Sequence, residues 1–353
     1  MTEPATPAVQ VLALHGLPEV RPGDDLAALL ADALERDGLA LRPGDCLVVS
    51  SKVVSKAAGL TWAGERAGAV AHHTRRVVAE RRGTGGVTRV VESVAGPVMA
   101  AAGVDASNTG PGGETLLLPD DPDAEAAALR AAVLERAGRT ADTAVGVVLS
   151  DTAGRPWRDG LTDFALGSAG LVVLEDLRGG TDHDGRPLAV TARAVADEVA
   201  AAADLVKGKA DGVPAALVRG LPAAWFASDA DGARSLVRVG RGDWFASGHV
   251  EALRAALGVG AGTRDSEELG IRSVAPEPLG ERVGRVVALA LHDVPDGSAD
   301  VAVADDHAEV VLAAADPYDL GRLVVRTEVA AASEDLRAEH TARSVGAVTL
   351  RLT

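Results

Sequence analysis

The chain has 353 residues, 47% hydrophobic and 24% charged, which indicates a globular protein with one large and one small domain and excludes disorder as the main state. Its formal net charge of -16 argues against a nucleic-acid backbone or an anionic membrane as partner, because the summed field repels polyanions. One cysteine permits no intramolecular disulfide, no apolar run approaches the roughly 20 residues of a bilayer span, and the start MTEPATPAVQ lacks the order of a secretory signal, so we expect a cytoplasmic protein.

The first predicted elements are a helix, a buried strand and a turn-rich loop. GDDLAALLADALERDG has leucines at helical spacing behind Asp24 or Asp25 as the cap, and ends at Gly38. CLVVSSKVVSK is predicted to be a buried strand followed by a loop or edge strand that carries Lys52 and Lys56. VAGPVMAAAGVDASNTGPGG is rich in small and turn-forming residues, which suits a close approach of the backbone to a ligand.

The next elements alternate between helix and strand. DPDAEAAALRAAVLERAG predicts a helix capped by Asp121 or Asp123, and AVGVVLSD predicts a buried strand that ends at Asp151. LVVLEDLRG is typical of a further strand. TARAVADEVAAAADLVKG predicts a long helix that ends at Gly208, and PAALVRG predicts the strand after it.

The pattern changes near residue 221, where the chain becomes rich in Gly, Asp and Ser and loses its period. We expect two Trp-Phe pairs here, at 225–226 and 244–245, to pin the linker onto a domain rather than to bind a ligand. VEALRAALG and LGERVGRVVALAL then predict helices, and SADVAVA, AEVVLAAA and GRLVVRTEV predict strands. The predicted domains are residues 1–221, a linker over 222–262, and a small α+β domain of unknown role over 263–353.

Lysine is rare in this chain and is distributed unevenly. The only lysines are Lys52, Lys56, Lys207 and Lys209, two close pairs about 150 residues apart. One interpretation is chance spacing on an exposed surface under a coding bias toward arginine. The sharper hypothesis is that both pairs serve one anion site, because lysine is a compact point charge that reaches phosphate oxygens.

Several carboxylates lie in settings that suit a metal ion. The chain lacks a phosphate-loop motif, a nucleophile elbow and Cys-based or HExxH metal spacing. Asp105 lies in a small-residue turn near Asn108, and Asp151 and Thr152 follow a predicted buried strand; Mg²⁺ and Mn²⁺ prefer such oxygen ligands. The alternative is that Asp105 supports an Asx turn and Asp151 caps the segment after it. In the acidic loop after residue 174, the Arg178 fork is a candidate for holding an anionic substrate group.

Five segments resemble, in order, segments of the coenzyme F420-0:L-glutamate ligase family, and together they run from about residue 11 to about residue 221. They are GLPEVRPGDDLAALLADAL, VVSSKVVSKAAG, VMAAAGVDASN, SDTAGRPWRDGLTDFALGSAGL and EDLRGGTDHDGRPLAVTARAVADEVAAAADLVKGKADGVPAALVRG. The resemblance implies an α+β fold with a mixed sheet and a homodimer. It implies GTP-dependent amide formation between L-glutamate and the carboxylate of coenzyme F420-0 through an acyl phosphate. It also implies GTP as co-substrate, Mg²⁺ or Mn²⁺ at two sites, and K⁺ as a further ion.

The same resemblance assigns roles to individual residues. Lys56, Asp105 and Asp151 are the implied catalytic residues; Asp105 and Asp151 would bind one metal ion and Thr152 the second. The implied nucleotide contacts are Gly16, Leu17, Pro18, Glu19, Ser51, Lys52, Lys56, Asn108, Lys207, Gly208, Lys209, Ala210, Asp211, Gly212, Val213 and Pro214. Lys209 departs from members with Gln or Glu there, and because an ammonium cannot ligate a metal, this bears on the second ion. The chain is also shorter than the family norm between Lys56 and Asp105.

Two alternatives to the ligase remain open at the level of sequence. One is a metal-dependent nucleotide or acyl-phosphate hydrolase, in which water replaces the glutamate amine. The other is a non-catalytic GTP-binding sensor, with Lys209 as the sign of lost activity. IRSVAPEPLGERVGRVVALAL faintly resembles the start of the flavin-dependent nitroreductase-like domain found in some relatives, but the tail is too short for that domain, so FMN binding is not expected.

Overall fold

The structure is a computed structural model, and it describes residues 8–105, 115–208 and 211–353. The chain divides into two compact units. The first contains the described residues up to Arg75 together with Ser93–Arg238, and the second contains Arg76–Glu92 and Val239–Thr353. This division differs from the boundaries at 221 and 262 placed from the sequence, because a segment inside the predicted ligase domain belongs to the second unit.

The described residues form sixteen β-strands and nine α-helices. The strands are β1 (Gln10–Ala13), β2 (Asp45–Ser50), β3 (Thr61–Trp62), β4 (Thr74–Gly83), β5 (Gly86–Ser93), β6 (Val98–Ala100), β7 (Thr115–Leu116), β8 (Val145–Arg155), β9 (Arg158–Ala169), β10 (Glu175–Asp176), β11 (Ala192–Arg193), β12 (Ala215–Arg219), β13 (Gly297–Val303), β14 (Ala308–Ala314), β15 (Ala338–Ser344) and β16 (Ala347–Leu352). The helices are α1 (Leu26–Arg36), α2 (Ser51–Ala57), α3 (Arg66–His72), α4 (Pro122–Arg136), α5 (Val195–Lys207), α6 (His249–Ala256), α7 (Arg264–Leu269), α8 (Leu279–Leu291) and α9 (Pro317–Ser333). The predicted α+β class is confirmed. No helix in the part of the chain that the structure describes is long and apolar enough to cross a membrane.

The first unit is organised around a five-stranded mixed sheet with the order β1-β12-β2-β8-β9, in which only β2 and β8 run parallel. Successive residues of a strand point to opposite faces, and both faces of β2 are buried. Leu47 and Val49 join a core with α1 and α4, whereas Cys46 and Val48 join a second core with α5. The apolar run CLVV is therefore a central strand covered by helices on both sides.

Three helices of the first unit, α1, α4 and α5, begin or end at capping or glycine residues that the sequence predicts. Asp25 caps α1 by accepting a hydrogen bond from the backbone N–H of Ala28 at 2.9 Å, and Asp121 caps α4 in the same way. The α5 helix ends at Lys207, before Gly208 at a φ of 60°. Asp123 is not the cap; its carboxylate accepts backbone N–H groups from β9 and from the segment after residue 232, so it ties the helix to both.

Three predictions in the first unit are wrong about the type or the length of an element. The segment after β2 is the helix α2 rather than a loop or edge strand, since Val53 and Val54 are buried on one side of a helical turn. The strand β8 does not end at Asp151 but continues to Arg155, because it pairs with β9 as a long hairpin. LVVLEDLRG contains only the two-residue strand β10.

The second unit contains an antiparallel sheet with the order β13-β14-β16-β15. The apolar face of β14 and β16 is buried against α8 and α9, which confirms the predicted small α+β unit. The prediction that GRLVVRTEV is a strand is wrong: it lies in α9, where Leu323, Thr327 and Ala330 are buried at helical spacing. The β-branched valines and threonine of this segment favour a strand locally, but tertiary packing overrides that propensity.

The hairpin formed by β4 and β5 also belongs to the second unit, although it lies early in the chain. The Glu80 carboxylate accepts hydrogen bonds from the Gly262 backbone N–H at 3.1 Å and from the Ser266 hydroxyl. Arg89 pairs with Glu267 at 2.7 Å. These polar contacts explain why the hairpin groups with residues after 239.

The two Trp-Phe pairs behave differently. Trp225 donates its indole N–H to Glu175 at 3.0 Å and lies under the Arg193 guanidinium, and Phe226 packs on the core beside α5. The prediction that this pair pins the chain is confirmed. Trp244 is 80% exposed, so this side chain does not pin the linker.

Candidate active site

A cavity opens at the carboxyl end of β2. Ser50, the last residue of β2, is paired with Ser150 of the parallel strand β8, which continues to Arg155, and α2 follows β2 at once. The cavity has a volume of about 650 Å³. Its lining residues, all in the first unit, are Leu17, Pro18, Glu19, Val20, Ser50, Lys52, Val53, Lys56, Thr152, Asp163, Asp204, Lys207, Gly208, Gly212, Val213 and Pro214.

Three of the four lysines of the chain line this one cavity. Lys52 and Lys56 come from α2, and Lys207 comes from the last turn of α5. Lys56 and Lys207 are buried, with 9% and 4% of their surface exposed, so the interpretation of chance spacing on an exposed surface is wrong for these two. Lys209 lies outside the described residues.

The two lysines on α2 pair with carboxylates that reach solvent. The ammonium nitrogen of Lys52 lies 2.6 Å from Oδ2 of Asp105, whose side chain is 38% exposed. Lys56 pairs with Glu19, whose side chain is 58% exposed. Because each carboxylate is partly exposed, water screens its attraction to the lysine.

Lys207 instead belongs to a closed network with Asp163. Its ammonium donates hydrogen bonds of 2.6 Å to the Ser150 hydroxyl and to Oδ2 of Asp163. Ser150 and Thr152 donate their hydroxyl protons to the same carboxylate, at 2.9 and 2.7 Å. Burial alone would raise the pKa of Asp163, but the Lys207 charge and these hydrogen bonds outweigh burial and lower it. The carboxylate is therefore held ionised.

Asp163 was not among the residues predicted from the sequence. In the antiparallel β8–β9 hairpin Thr152 stands directly opposite Asp163, and Ser150 lies on the same face of its strand two residues earlier. A strand that ends at Asp151, as the sequence predicts, leaves Thr152 outside the sheet and without a cross-strand neighbour. Recognising the turn within SDTAGRPWRDGLTDF as a hairpin would have placed the two residues together.

The structure brings most of the predicted site residues to the cavity, and the rest lie beside or outside it. Asp105 reaches the cavity through Lys52, and Asp204 is an additional lining carboxylate that was not predicted. The predicted residues among its lining are Leu17, Pro18, Glu19, Lys52, Lys56, Thr152, Lys207, Gly208, Gly212, Val213 and Pro214. Those not among it are Gly16, Ser51, Asp105, Asp151 and Asp211. Asn108, Lys209 and Ala210 lie outside the described residues.

The metal ligands that the sequence predicts here are all oxygen donors, the type that a hard divalent cation prefers. Among the described residues, no three His, Cys, Asp or Glu side chains form a group able to hold a metal. Mg²⁺ accepts such a site, because it is commonly held by one or two carboxylates while phosphates and waters complete its shell. Asp105, Asp151 and the Thr152 hydroxyl would supply only oxygen ligands. The alternative that Asp151 caps the segment after it is wrong, because β8 continues past it.

Arg178 does not contribute an open anion-binding fork. Its Nε and Nη2 atoms donate to the two carboxylate oxygens of Asp176 at 2.7 and 2.6 Å. This contact lowers the pKa of Asp176 to about 2. The Arg178 guanidinium is therefore occupied by a carboxylate of its own loop, and neither residue lines the cavity.

Comparison with known proteins identifies a family of ligases and relatives that carry the same name. The model of the F420-0:Gamma-glutamyl ligase family matches residues 16–220. A coenzyme F420:L-glutamate ligase from Halobacterium salinarum is 41% identical over 258 residues, covering 67% of this chain and 95% of the relative. Proteins of the same name from Halorubrum lacusprofundi and Natronomonas pharaonis are 39% and 40% identical, over 67% and 65% of this chain and 95% and 92% of their own lengths.

Proposed function

This chain belongs to the F420-0:gamma-glutamyl ligase family, and we propose that it joins L-glutamate to the carboxylate of coenzyme F420-0 at the expense of GTP. The observation that carries the proposal is the convergence of Lys52, Lys56 and Lys207 on one cavity inside the matched region. A cavity with three ammonium groups favours an anionic ligand such as a nucleoside triphosphate. The family match supplies the identity of the reaction.

The chemistry requires activation, because a carboxylate and an amine do not condense in neutral water. We propose that the γ-phosphoryl group of GTP passes to the F420-0 carboxylate, forming an acyl phosphate and releasing GDP. The glutamate amine then attacks the acyl carbon; a C–N bond forms, the C–O bond to phosphate breaks, and the amine loses a proton. Phosphoryl transfer of this kind depends mainly on positioning and on neutralising charge on the transferring oxygens.

Residues of this chain can supply that neutralisation. Lys56 lies at the cavity wall and its partner Glu19 is exposed, so a phosphate can replace Glu19 beside it. Glu19 is then released to solvent without a buried charge left behind. A divalent ion held by Asp105 and Asp151, and a second one held by Thr152, would act as Lewis acids on phosphate oxygens when bound.

Mass spectrometry of F420-0 incubated with the protein, GTP, Mn²⁺ and glutamate tests the proposal. We expect a product heavier by one or more glutamyl residues, together with GDP. GTP turnover that is independent of glutamate would instead support the hydrolase, and binding of GTP without GDP release would support the sensor. Light scattering on the same preparation tests the homodimer that the family resemblance implies.

A matched pair of variants connects the reaction to the cavity. Lys56→Ala removes a lining ammonium, whereas Arg343→Ala removes an exposed charge on β15 that is not among the lining residues. We expect glutamyl addition to fall strongly in the first variant and to stay within twofold in the second. Equal activity in the two variants would show that this cavity is not the site.

A further inference from the structure

We propose that Asp163 is a positioning residue that fixes the Thr152 hydroxyl as a hydrogen-bond acceptor toward the cavity, and so selects a cation at that point. The inference rests on the proposed function, which places Thr152 beside a metal ion. It concerns Asp163, which lines the cavity and whose carboxylate oxygens are held by three protein donors. Asp163 acts through Thr152 and Lys207, both of which it contacts directly.

The Thr152 hydroxyl has a single proton, and that proton is already committed. A threonine hydroxyl carries one proton and two lone pairs. In the structure the proton is donated to Oδ1 of Asp163 at 2.7 Å. Toward any other partner the Thr152 oxygen can therefore only accept, so it suits a metal ion or an N–H donor and repels a phosphate oxygen.

Asp163 itself is held in one orientation. Its other oxygen, Oδ2, accepts hydrogen bonds from Ser150 at 2.9 Å and from Lys207 at 2.6 Å. The side chains of Asp163 and Lys207 are only 4% and 5% exposed, so water does not compete for them. A carboxylate with three donors in a buried setting has a fixed orientation and remains an acceptor, because when ionised it has no proton to give.

Lys207 presents a hydrogen-bond donor to the cavity, whereas Thr152 presents an acceptor. Two of its three protons are used by Ser150 and Asp163, and it lines the same cavity as Thr152. It therefore offers one further donor to the cavity while Thr152 offers only lone pairs. The two side chains that Asp163 positions thus differ in what they bind: an ammonium proton suits phosphate, and a hydroxyl oxygen suits a cation.

Asparagine at 163 would remove this selection without changing the size of the side chain. An amide carries two N–H donors as well as an oxygen, so it can donate to Thr152 and turn the hydroxyl proton into the cavity. It would also leave the Lys207 ammonium without its counter-charge. Thr152→Val deletes the hydroxyl and keeps the Asp163–Lys207 pair, and Thr152→Ser keeps a hydroxyl that can still donate to Asp163.

Mn²⁺ titration followed by electron paramagnetic resonance, with a non-hydrolysable GTP analogue bound, tests the proposal without using turnover. We expect Thr152→Val and Asp163→Asn to weaken Mn²⁺ binding about 10- to 100-fold, the range for outer partners of metal ligands. Thr152→Ser should restore the affinity to within about threefold. Asp159→Asn is the matched control, because it makes the same change on an exposed carboxylate of the same hairpin.

The outcomes separate this inference from the ligase proposal. If the wild-type protein adds glutamate but Thr152→Val, folded by thermal melting, binds Mn²⁺ as tightly as wild type, then Thr152 presents no acceptor to a cation and the inference is overturned. Equal loss of Mn²⁺ affinity in Thr152→Val and Thr152→Ser also overturns the inference, because the loss would then come from the missing methyl packing and not from the hydroxyl. If the wild-type protein forms no glutamyl product, the proposed function itself fails.

Discussion

In the first unit three lysines line a cavity, whereas in the second unit arginines pair with buried glutamates. In the second unit, Glu334 is fully buried and accepts hydrogen bonds from Arg254 at 2.8 Å and from Arg285 at 2.6 Å. Arg285 also pairs with Glu277 at 2.6 Å. Arg254 also donates to the Gly270 carbonyl oxygen at 2.9 Å, so the guanidinium groups of this cluster contact fixed interior partners, whereas the carboxylates paired with Lys52 and Lys56 are partly exposed.

The difference teaches how charge can be divided between folding and binding. An arginine fork matches a carboxylate at two points and holds it rigidly, which suits a fixed interior contact. A lysine is a point charge whose partner can be exchanged, which suits a site that must accept and release an anion. Lys207 is intermediate: it lines the cavity but is paired with buried Asp163.

The largest effect should come from breaking the arginine cluster. Glu334→Gln leaves the buried Arg254 guanidinium without a counter-charge and Arg285 with Glu277 alone, and we expect a loss of about 3–5 kcal/mol in the free energy of unfolding of the second unit. Hydrogen exchange of β14 and β16 followed by mass spectrometry measures it. Glu339→Gln, an exposed residue of β15, is the control and should change stability by less than about 0.5 kcal/mol. Equal protection in the two variants would mean that the cluster is not structural.

The second effect should fall on activity and not on stability. Asp151→Asn keeps the shape of the side chain and removes its charge, so we expect metal-supported GTP turnover to fall more than about 100-fold while the melting temperature changes little. Steady-state turnover at several Mn²⁺ concentrations measures this. Full turnover at ordinary metal concentration would show that Asp151 holds no ion.

A smaller effect is expected on GTP affinity when an exchangeable lysine is removed. Lys56→Ala deletes a charge whose present partner, Glu19, can return to solvent. A lost hydrogen bond to a charged group is worth about 1.5–3 kcal/mol, so GTP binding should weaken roughly 10- to 150-fold. Calorimetric titration of wild type, Lys56→Ala and Arg343→Ala checks it, and unchanged affinity in Lys56→Ala would separate that lysine from the nucleotide.

The smallest expected effect is a loss of stability at acidic pH, and it involves Glu277. The hydrogen bond from Arg285 lowers the pKa of Glu277 from its ordinary value of 4.5 to about 2 in the folded protein. A lowered folded pKa stabilises the protein above the unfolded value, and this stabilisation is lost as pH falls from about 4.5 toward 2. The melting temperature of the wild type should therefore fall more steeply across that pH range than the melting temperature of Glu277→Gln. Parallel declines would place the acid sensitivity elsewhere.

Local rules were sufficient for much of the first unit. The apolar run of β2, the caps at Asp25 and Asp121 and the stop at Gly208 were predictable because each depends on neighbours within a few positions. The rarity of lysine also pointed to one site, and three of the four lysines line one cavity.

Contacts between distant segments were not predictable in the same way. Asp163 became visible as a partner of Thr152 only when the register of β8 and β9 was known. The placement of β4 and β5 in the second unit depends on Glu80 and Arg89 meeting residues about 180 positions later. No local pattern carries that information, since the partners are chosen by the folded core rather than by spacing along the chain.

The route of the chain through the two units bears on how the protein responds to proteolysis and on how it is made. The backbone passes between the units at 75–76, at 92–93 and at 238–239. A single cut near residue 238 would therefore leave an amino-terminal fragment that still carries residues 76–92 of the second unit. The two fragments should separate on a denaturing gel but co-elute in native buffer, while the Arg89–Glu267 pair and the Glu80 contacts hold. During synthesis the same hairpin leaves the ribosome long before residues 239–353 that complete its unit.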